Sequence, residues 1–304
     1  MSTSLLDLVK NTIVLKCSLP CNDRKIGKSA ISTRDDNCYI STNETDIAKI
    51  IYNNIINYSF DAFEMKFDSE ILLKKALYSR IRYNNAATDE TKLSFGFYGE
   101  VLLHSILHVI YKAPPLISKG HFYIVGNGES KGYDSYHLVE SDDQLHLWFG
   151  EVKFREQSSS CIKSALSELS NKVLTDNYFT ENNLIPIFDE MSKNDKYNPV
   201  IANSKLQSIK IKWIEKGEIT IDDFKKENIG IVYPIFIIFN QSTLGYDKSL
   251  ENCIEYIKKN YSDLKFDDMS LETTIFFIFL PVDSVKEIKK TVIKWIESKE
   301  QLMS

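Results

Sequence analysis

The fold of this chain is decided by residues 145–154, which read Leu-His-Leu-Trp-Phe-Gly-Glu-Val-Lys-Phe. Successive side chains of a β-strand point to opposite faces, so Leu147 and Phe149 share one face with Glu151 and Lys153. Apolar residues also occupy the other face, which predicts a strand buried on both sides. A buried acid and base are unfavourable unless they are paired, bound to a metal or at the open end of the strand. This pair is therefore a candidate functional site.

A second acid precedes this strand. Asp134 stands at the start of the alternating run 135–139, Ser-Tyr-His-Leu-Val, which predicts a neighbouring strand. The segment 140–144 between the two runs is short and polar, so we predict a β-hairpin. Antiparallel pairing would bring the carboxylates of Asp134 and Glu151 side by side. Two such carboxylates repel each other unless a cation lies between them, and hard divalent ions take oxygen ligands of this kind.

Each of these residues also has a purely structural interpretation. Glu151 and Lys153 could form a surface ion pair on an edge strand, although the apolar residues on both faces argue against it. Asp134 could be a turn residue that follows a glycine. Glu100, which begins an apolar helical run, could stabilise a helix amino terminus through the helix dipole as readily as bind a metal.

Histidines and cysteines offer two further patterns. His104 and His108 lie on one stripe of a predicted helix, but the Glu-x-x-His pattern is absent, so a packing role is favoured. Cys17 and Cys21 are spaced as a zinc half-site. Because Cys38 stands alone and no second pair follows, ordinary thiols are favoured.

Composition indicates a soluble intracellular protein. The chain has 304 residues, 43% of them hydrophobic, which is enough for one elaborated domain or two. Its longest apolar runs, 229–239 and 275–282, are shorter than the roughly 18 residues that span a bilayer, so no membrane helix is expected. The amino terminus has no basic and apolar signal pattern. Five cysteines, an odd number, suit a reducing compartment, and we expect a cytoplasmic location.

The net charge of −5 opposes unaided binding of nucleic acid, which usually requires a basic patch. Basic residues cluster on three predicted segments, and we interpret each cluster as an ordinary solvated helix face. The clusters are Lys74, Lys75, Arg80 and Arg82; Lys205, Lys210 and Lys212; and Lys286, Lys289, Lys290 and Lys294. If the ligand is a nucleic acid, the charge balance favours its presentation by a partner.

Residues 1–92 are predicted to form an amino-terminal α+β region, which ends at the polar stretch 84–90. Its predicted elements are strands at Thr12–Leu19 and Cys38–Ser41, a helix at Glu44–Asn57 capped by Asn43, and a helix at 69–83.

Residues 93–304 are predicted to form the main domain, with a polar insertion at about 175–228. Strands that alternate with helices indicate an α/β fold with a mixed sheet flanked by helices. Pro234 lies within one strand and indicates an edge or a bulge. The predicted elements are a helix to about Tyr111, strands at 121–125, 133–139 and 145–154, a helix at 159–174, a strand at 229–240, a helix at 248–260, a strand at 272–281 and a helix at 284–299.

Three motifs resemble the PD-(D/E)xK nuclease superfamily, and within it the HamA family of Hachiman antiphage defence. They are Phe97-Tyr98-Gly99-Glu100, Gly132-Tyr133-Asp134 and Phe149-Gly150-Glu151-Val152-Lys153. Tyr133 stands where the superfamily's name has a proline, a position that varies widely among its members. The resemblance covers residues 93–304.

This resemblance implies a restriction-endonuclease-like fold and a metal-dependent DNA nuclease that works with a HamB-like helicase subunit. It implies that Asp134, Glu151 and Lys153 are catalytic. It also implies that Glu100, Asp134 and Glu151 bind Mg²⁺, or Mn²⁺ in its place. Two alternatives stay open from the residues: an inactive module of the same fold that binds nucleic acid or the helicase, and a nuclease that acts on RNA. We expect residues 1–92 and the insertion to contact the partner.

Overall fold

The computed structural model describes residues 1–60, 68–116, 133–141, 144–169, 205–264, 270–271, 273–299 and 302. The strands are β1 (Ile13–Leu19), β2 (Asp36–Ser41), β3 (Ser135–Ser141), β4 (Gln144–Phe154), β5 (Ile229–Asn240) and β6 (Thr273–Val282). The helices are α1 (Thr3–Thr12), α2 (Glu44–Ser59), α3 (Ser69–Lys75), α4 (Asp89–Ser94), α5 (Phe97–Val109), α6 (Ser158–Glu168), α7 (Leu206–Lys216), α8 (Ile221–Lys226), α9 (Tyr246–Tyr261) and α10 (Val285–Ser298). Across these ranges, no helix combines the length and the apolar character needed to cross a bilayer.

The six strands form one mixed sheet in the order β1-β2-β6-β5-β4-β3. The four central strands, β2, β6, β5 and β4, run parallel to one another. An antiparallel strand closes each edge, β1 beside β2 and β3 beside β4. The predicted α/β class is confirmed, and the β3–β4 pair is the predicted hairpin.

Helices cover both faces of the sheet, and the sheet separates the core into two layers. Leu145, Leu147 and Phe149 of β4 belong to one layer, together with buried residues of α6, α7, α8 and α9. Trp148 and Val152 belong to the other, together with buried residues of α2, α5 and α10. The predicted burial of β4 on both faces is confirmed. This double burial explains why a charged residue on β4 needs a partner.

The amino-terminal region is part of the same sheet. β2 pairs in parallel with β6, and the buried carboxylate of Asp36 accepts the Phe277 N–H at 2.8 Å. The predicted helix capped by Asn43 is confirmed as α2, which packs against α5 and α10. The structure thus differs from a separate extension joined near residue 92, because residues 13–41 supply two of the six strands.

Pro234 is not at an edge. β5 is a central strand, and Pro234 lies opposite Phe276 of β6 in an uninterrupted ladder. The ladder to β4 is interrupted beside Pro234 and resumes in the same register at Glu151 and Ile235, so there is no bulge. The missing N–H of proline is accommodated by this local gap.

Two expected segments fall mainly outside the described residues, the strand at 121–125 and the larger part of the insertion at 175–228. The end of the insertion is described and forms α7 and α8. Trp213 and Phe224 from these helices are buried and stacked, with ring centroids 5.2 Å apart. This part of the insertion therefore covers one face of the sheet.

Gly150 lies where α5 crosses the hairpin. A Cβ atom at this position would stand 2.5 Å from Ser135 Oγ and 2.8 Å from Leu103 Cδ2. Leu103 is fully buried, so its side chain has little room to move. Only glycine allows α5 to approach the strand this closely.

We expect Gly150→Ala to lower the free energy of unfolding by about 1–3 kcal/mol, because the added methyl group overpacks the contact between α5 and β4. Chemical denaturation of the full-length chain measures this change. Gly27→Ala is the matched control, since a Cβ atom there meets nothing within 4 Å. Equal stability of Gly150→Ala and the parent chain would show that the contact is loose.

Candidate active site

The hairpin brings two acids together at the end of β4. Ser135 is paired with Gly150, so the preceding Asp134 lies opposite Glu151. The Asp134 N–H donates to the Gly150 carbonyl at 2.9 Å, and Asp134 Oδ2 accepts the Val152 N–H at 2.9 Å. The expected side-by-side placement of the two acids is therefore present, and Asp134 is fixed by the backbone of β4 on both sides of Glu151.

Glu151 is buried, with 4% of its surface exposed, and forms an ion pair with Lys153. Lys153 Nζ also lies 3.1 Å from Glu168 Oε2 on α6. The ammonium thus stands between a buried carboxylate and a half-exposed one. A surface ion pair on an edge strand does not describe this arrangement, because β4 is an inner strand and the pair is largely enclosed.

The charges of this pair depend on each other. Burial raises the pKa of Glu151 well above its usual range, and the nearby Asp134 carboxylate raises it further, while Lys153 partly opposes the shift. Burial alone would lower the pKa of Lys153, but the carboxylates of Glu151, Asp134 and Glu168 outweigh burial and raise it. Lys153 therefore remains an ammonium at neutral pH, which suits it to stabilise negative charge rather than to accept a proton.

Glu100 reaches the same region from the first turn of α5. A Cβ atom at Gly99 would lie 3.0 Å from Val152 Cγ2, so glycine lets the start of the helix rest on β4. Tyr58 of α2 is buried, and its hydroxyl donates a hydrogen bond to Glu100 Oε2. The amino-terminal region therefore supplies a residue that positions Glu100.

A cleft of about 670 Å³ opens at this end of β4. It is lined by Glu100, Asp134 and Lys153, while Glu151 does not reach its wall. Five further charged residues line the cleft. Four of them are Glu90, Arg155, Glu156 and Lys286, and the fifth is the buried Lys289. Three of the four predicted site residues thus face one cavity, and the fourth is ion-paired behind it.

The oxygen ligands at this site suit a hard divalent cation. Within the described ranges no three Asp, Glu, His or Cys side chains already stand as a metal cluster. Glu151 Oε1 is buried and has the ion pair with Lys153 but no aligned hydrogen bond. The Lys153 ammonium offsets one of the two negative charges of Asp134 and Glu151. A divalent cation would offset the remaining negative charge. The residues fit such an ion on these grounds.

The other candidate residues do not line this cleft. His104 is buried and His108 is partly buried, their ring centroids lie 6.2 Å apart, and burial lowers the pKa of both. Cys17 lies opposite Cys38 in the β1–β2 pair. The five cysteines are free thiols. The burial of His104 agrees with its packing interpretation, and the assignment of Cys17 and Cys21 as ordinary thiols stays a prediction.

Sequence reasoning missed three residues at the site. Tyr58 and Glu168 have no local signal, because only the fold brings α2 and α6 to the hairpin. Lys289 did have one, since it falls on the buried stripe of α10 with Ile288 and Val292. The interpretation of Lys289 as part of a solvated face is wrong, because it is 8% exposed.

Comparison with known proteins identifies one family. The family model HamA matches residues 11–296, which include every site residue described above. No curated protein and no solved structure matches the chain. The match covers far more than half of the 304 residues. The chain therefore belongs to the HamA family of Hachiman antiphage defence.

Proposed function

We propose that the protein is a metal-dependent nuclease that hydrolyses DNA phosphodiester bonds together with a helicase subunit. One observation carries the proposal: the hairpin register places Asp134 opposite Glu151, and Lys153 is ion-paired with Glu151 at the end of the same strand. Two acids and a lysine in this order are what the PD-(D/E)xK resemblance implies. The order of elements also supports a restriction-endonuclease-like core. Helix α5 carries Glu100, the β3–β4 hairpin follows it, and helix α6 comes between β4 and its parallel neighbour β5.

Asp134, Glu151 and Glu100 would hold Mg²⁺, or Mn²⁺ in its place. Such an ion, when bound, polarises the scissile phosphate and lowers the pKa of an attacking water. The chain itself supplies a fixed frame for these ligands. The Val152 N–H holds Asp134 at 2.9 Å, and the Tyr58 hydroxyl holds Glu100. Ligands held in this way need little rearrangement when the substrate arrives.

Lys153 would act on the phosphate through its charge. Its ammonium is kept protonated by the surrounding carboxylates and is held from the far side by Glu168 Oε2 at 3.1 Å. Because Lys153 lines the cleft, it can orient the attacking water or stabilise the negative charge that develops on the phosphate.

A helicase partner would present the DNA. The net charge of −5 opposes unaided capture of a polyanion, and the cleft itself carries acidic residues as well as basic ones. Within residues 1–92, Ile71 and Tyr78 are exposed by 58% and 84%, and they lie about two turns apart on α3 and its π-helical continuation, Ala76–Ile81. A partner bound at this helix would cover both apolar side chains, so we propose the helicase contact there.

The first prediction concerns the catalytic charges. Glu151→Gln keeps the shape of the side chain but removes its charge, and Lys153→Met removes the ammonium. Each is expected to lower DNA cleavage at least about 100-fold without loss of fold. The assay uses linear and circular DNA, with and without the helicase subunit, in Mg²⁺ or in EDTA. Lys163→Ala, an exposed lysine on α6, is the matched control.

Four results would contradict the proposal. Full cleavage by both variants would remove Glu151 and Lys153 from the chemistry. Cleavage in EDTA would exclude a metal requirement. DNA binding without any cleavage by the parent chain and its partner would identify an inactive module, and cleavage of RNA alone would replace the substrate.

The second prediction concerns Tyr58. Tyr58→Phe removes the hydroxyl that holds Glu100 but leaves the buried ring in place. We expect the Mg²⁺ concentration for half-maximal cleavage to rise about 10-fold, which is typical for loss of a residue that orients a metal ligand. The maximal rate at saturating Mg²⁺ should fall much less. An unchanged Mg²⁺ requirement would mean that the Tyr58 hydroxyl does not position a metal ligand.

The third prediction concerns the partner. The double variant Ile71→Ser, Tyr78→Ser should reduce co-purification with the helicase subunit, because it removes the exposed apolar surface but no buried contact. Leu244→Ser is the matched control, since Leu244 is 78% exposed in the loop before α9. Undiminished co-purification of the double variant would place the contact elsewhere.

A further inference from the structure

Lys289 is a buried cation without an acidic partner among the described residues. It is 8% exposed, and its Nζ donates a hydrogen bond to the Leu93 carbonyl at 3.0 Å. The rings of Tyr98 and Phe154 lie 5.4 and 5.1 Å from Nζ. Throughout the described ranges, no carboxylate lies within 4.0 Å of Nζ, in contrast to Lys153, which has two. Burying an ammonium in this state is costly.

The carbonyl and the two aromatic rings around Lys289 position its ammonium, but none of them carries a negative charge that would neutralise it. Burial lowers its pKa to about 8, so most of the population is still charged at neutral pH. An ammonium has three donors, and one of them is used by the Leu93 carbonyl. The two aromatic rings stabilise a cation but accept no ordinary hydrogen bond. Donors thus remain at Nζ for a ligand in the cleft.

Two more cations share this wall of the cleft. Lys286 lies one helical turn before Lys289 on α10, so the two face the same side. Arg155 follows directly after β4 and also lines the cleft. Glu90 and Glu156 also line the cavity, and the charge of Glu156 acts on Lys289, while Glu100 and Asp134 lie at the hairpin end. The cleft therefore has a basic wall beside the proposed metal ligands.

We propose that Lys289, with Lys286 and Arg155, forms a binding subsite for a phosphate group. The ligand class is a phosphate monoester or diester, because a tetrahedral oxyanion accepts hydrogen bonds from several donors at once and offsets part of the positive charge of the three side chains. Together with the proposed nuclease function, the subsite would hold a backbone phosphate next to the one that is cut. The anion subsite itself does not depend on that function.

The test uses inorganic phosphate and the full-length chain in EDTA, so that no bound metal can recruit the anion. Isothermal titration should show saturable binding to the parent chain. Lys289→Gln should weaken it about 10-fold or more, because a charge-assisted hydrogen bond is lost. Lys290→Gln is the matched control, since Lys290 is the neighbouring residue but is exposed and paired with Glu287 at 2.8 Å. Its affinity should equal that of the parent.

A second variant covers the case in which Lys289→Gln does not fold. Lys286 and Arg155 are both exposed, so the double variant Lys286→Gln, Arg155→Gln keeps the core intact. It should weaken phosphate binding several-fold. Undetectable binding to the parent chain at low ionic strength overturns the subsite, and so does equal binding by the parent and a folded variant of either kind.

Duplex DNA in EDTA, bound by the complex of the full-length chain with the helicase subunit, distinguishes a backbone phosphate from a free one. If Lys289 contacts the backbone, the slope of log K against log salt should fall by about 1 in Lys289→Gln. An unchanged slope, combined with loss of phosphate binding, would assign the subsite to a free phosphate compound. Neither result depends on cleavage, so loss of the nuclease proposal and loss of the subsite are separate outcomes.

Discussion

The site depends on the burial of Glu151 beside Asp134 in a sheet that is covered on both faces. A carboxylate with 4% exposure is unfavourable as an anion, and the ion pair with Lys153 compensates only part of that cost. The register of the hairpin makes the conflict unavoidable, because Asp134 cannot move away while the Val152 N–H holds it. A strand that only needed to pack would carry apolar residues here. The conflict between charge and burial is what supports a catalytic role for this end of β4.

The remainder of the fold holds this arrangement in place. α5 approaches β4 through Gly99 and Gly150, which brings Glu100 to the cleft. α6 supplies Glu168 behind Lys153, and α2 supplies Tyr58 behind Glu100. The amino-terminal strands complete the sheet beside β6. Residues 1–60 and the carboxyl-terminal half of the chain therefore act as one structural unit, and removal of the amino-terminal region would expose both the edge of β6 and the layer beneath α2.

Much of this arrangement could be predicted from the sequence, and the exceptions have a common cause. Period-two alternation correctly assigned the faces of β4, and the short polar segment before it correctly indicated the hairpin. These signals are local. The parallel pairing of β2 with β6 joins residues about 240 positions apart, and no local pattern records it. The same holds for Tyr58 and Glu168. Pro234 indicated an edge strand on general grounds, but a single gap in the ladder was sufficient to accommodate it.

The most direct test of the account is a titration of Mn²⁺ into the purified full-length chain, followed by the electron paramagnetic resonance signal of the free ion. We predict saturable binding that is lost in Asp134→Asn. Absence of saturable binding, or equal binding by Asp134→Asn, would contradict the assignment of this hairpin as a metal-dependent active site.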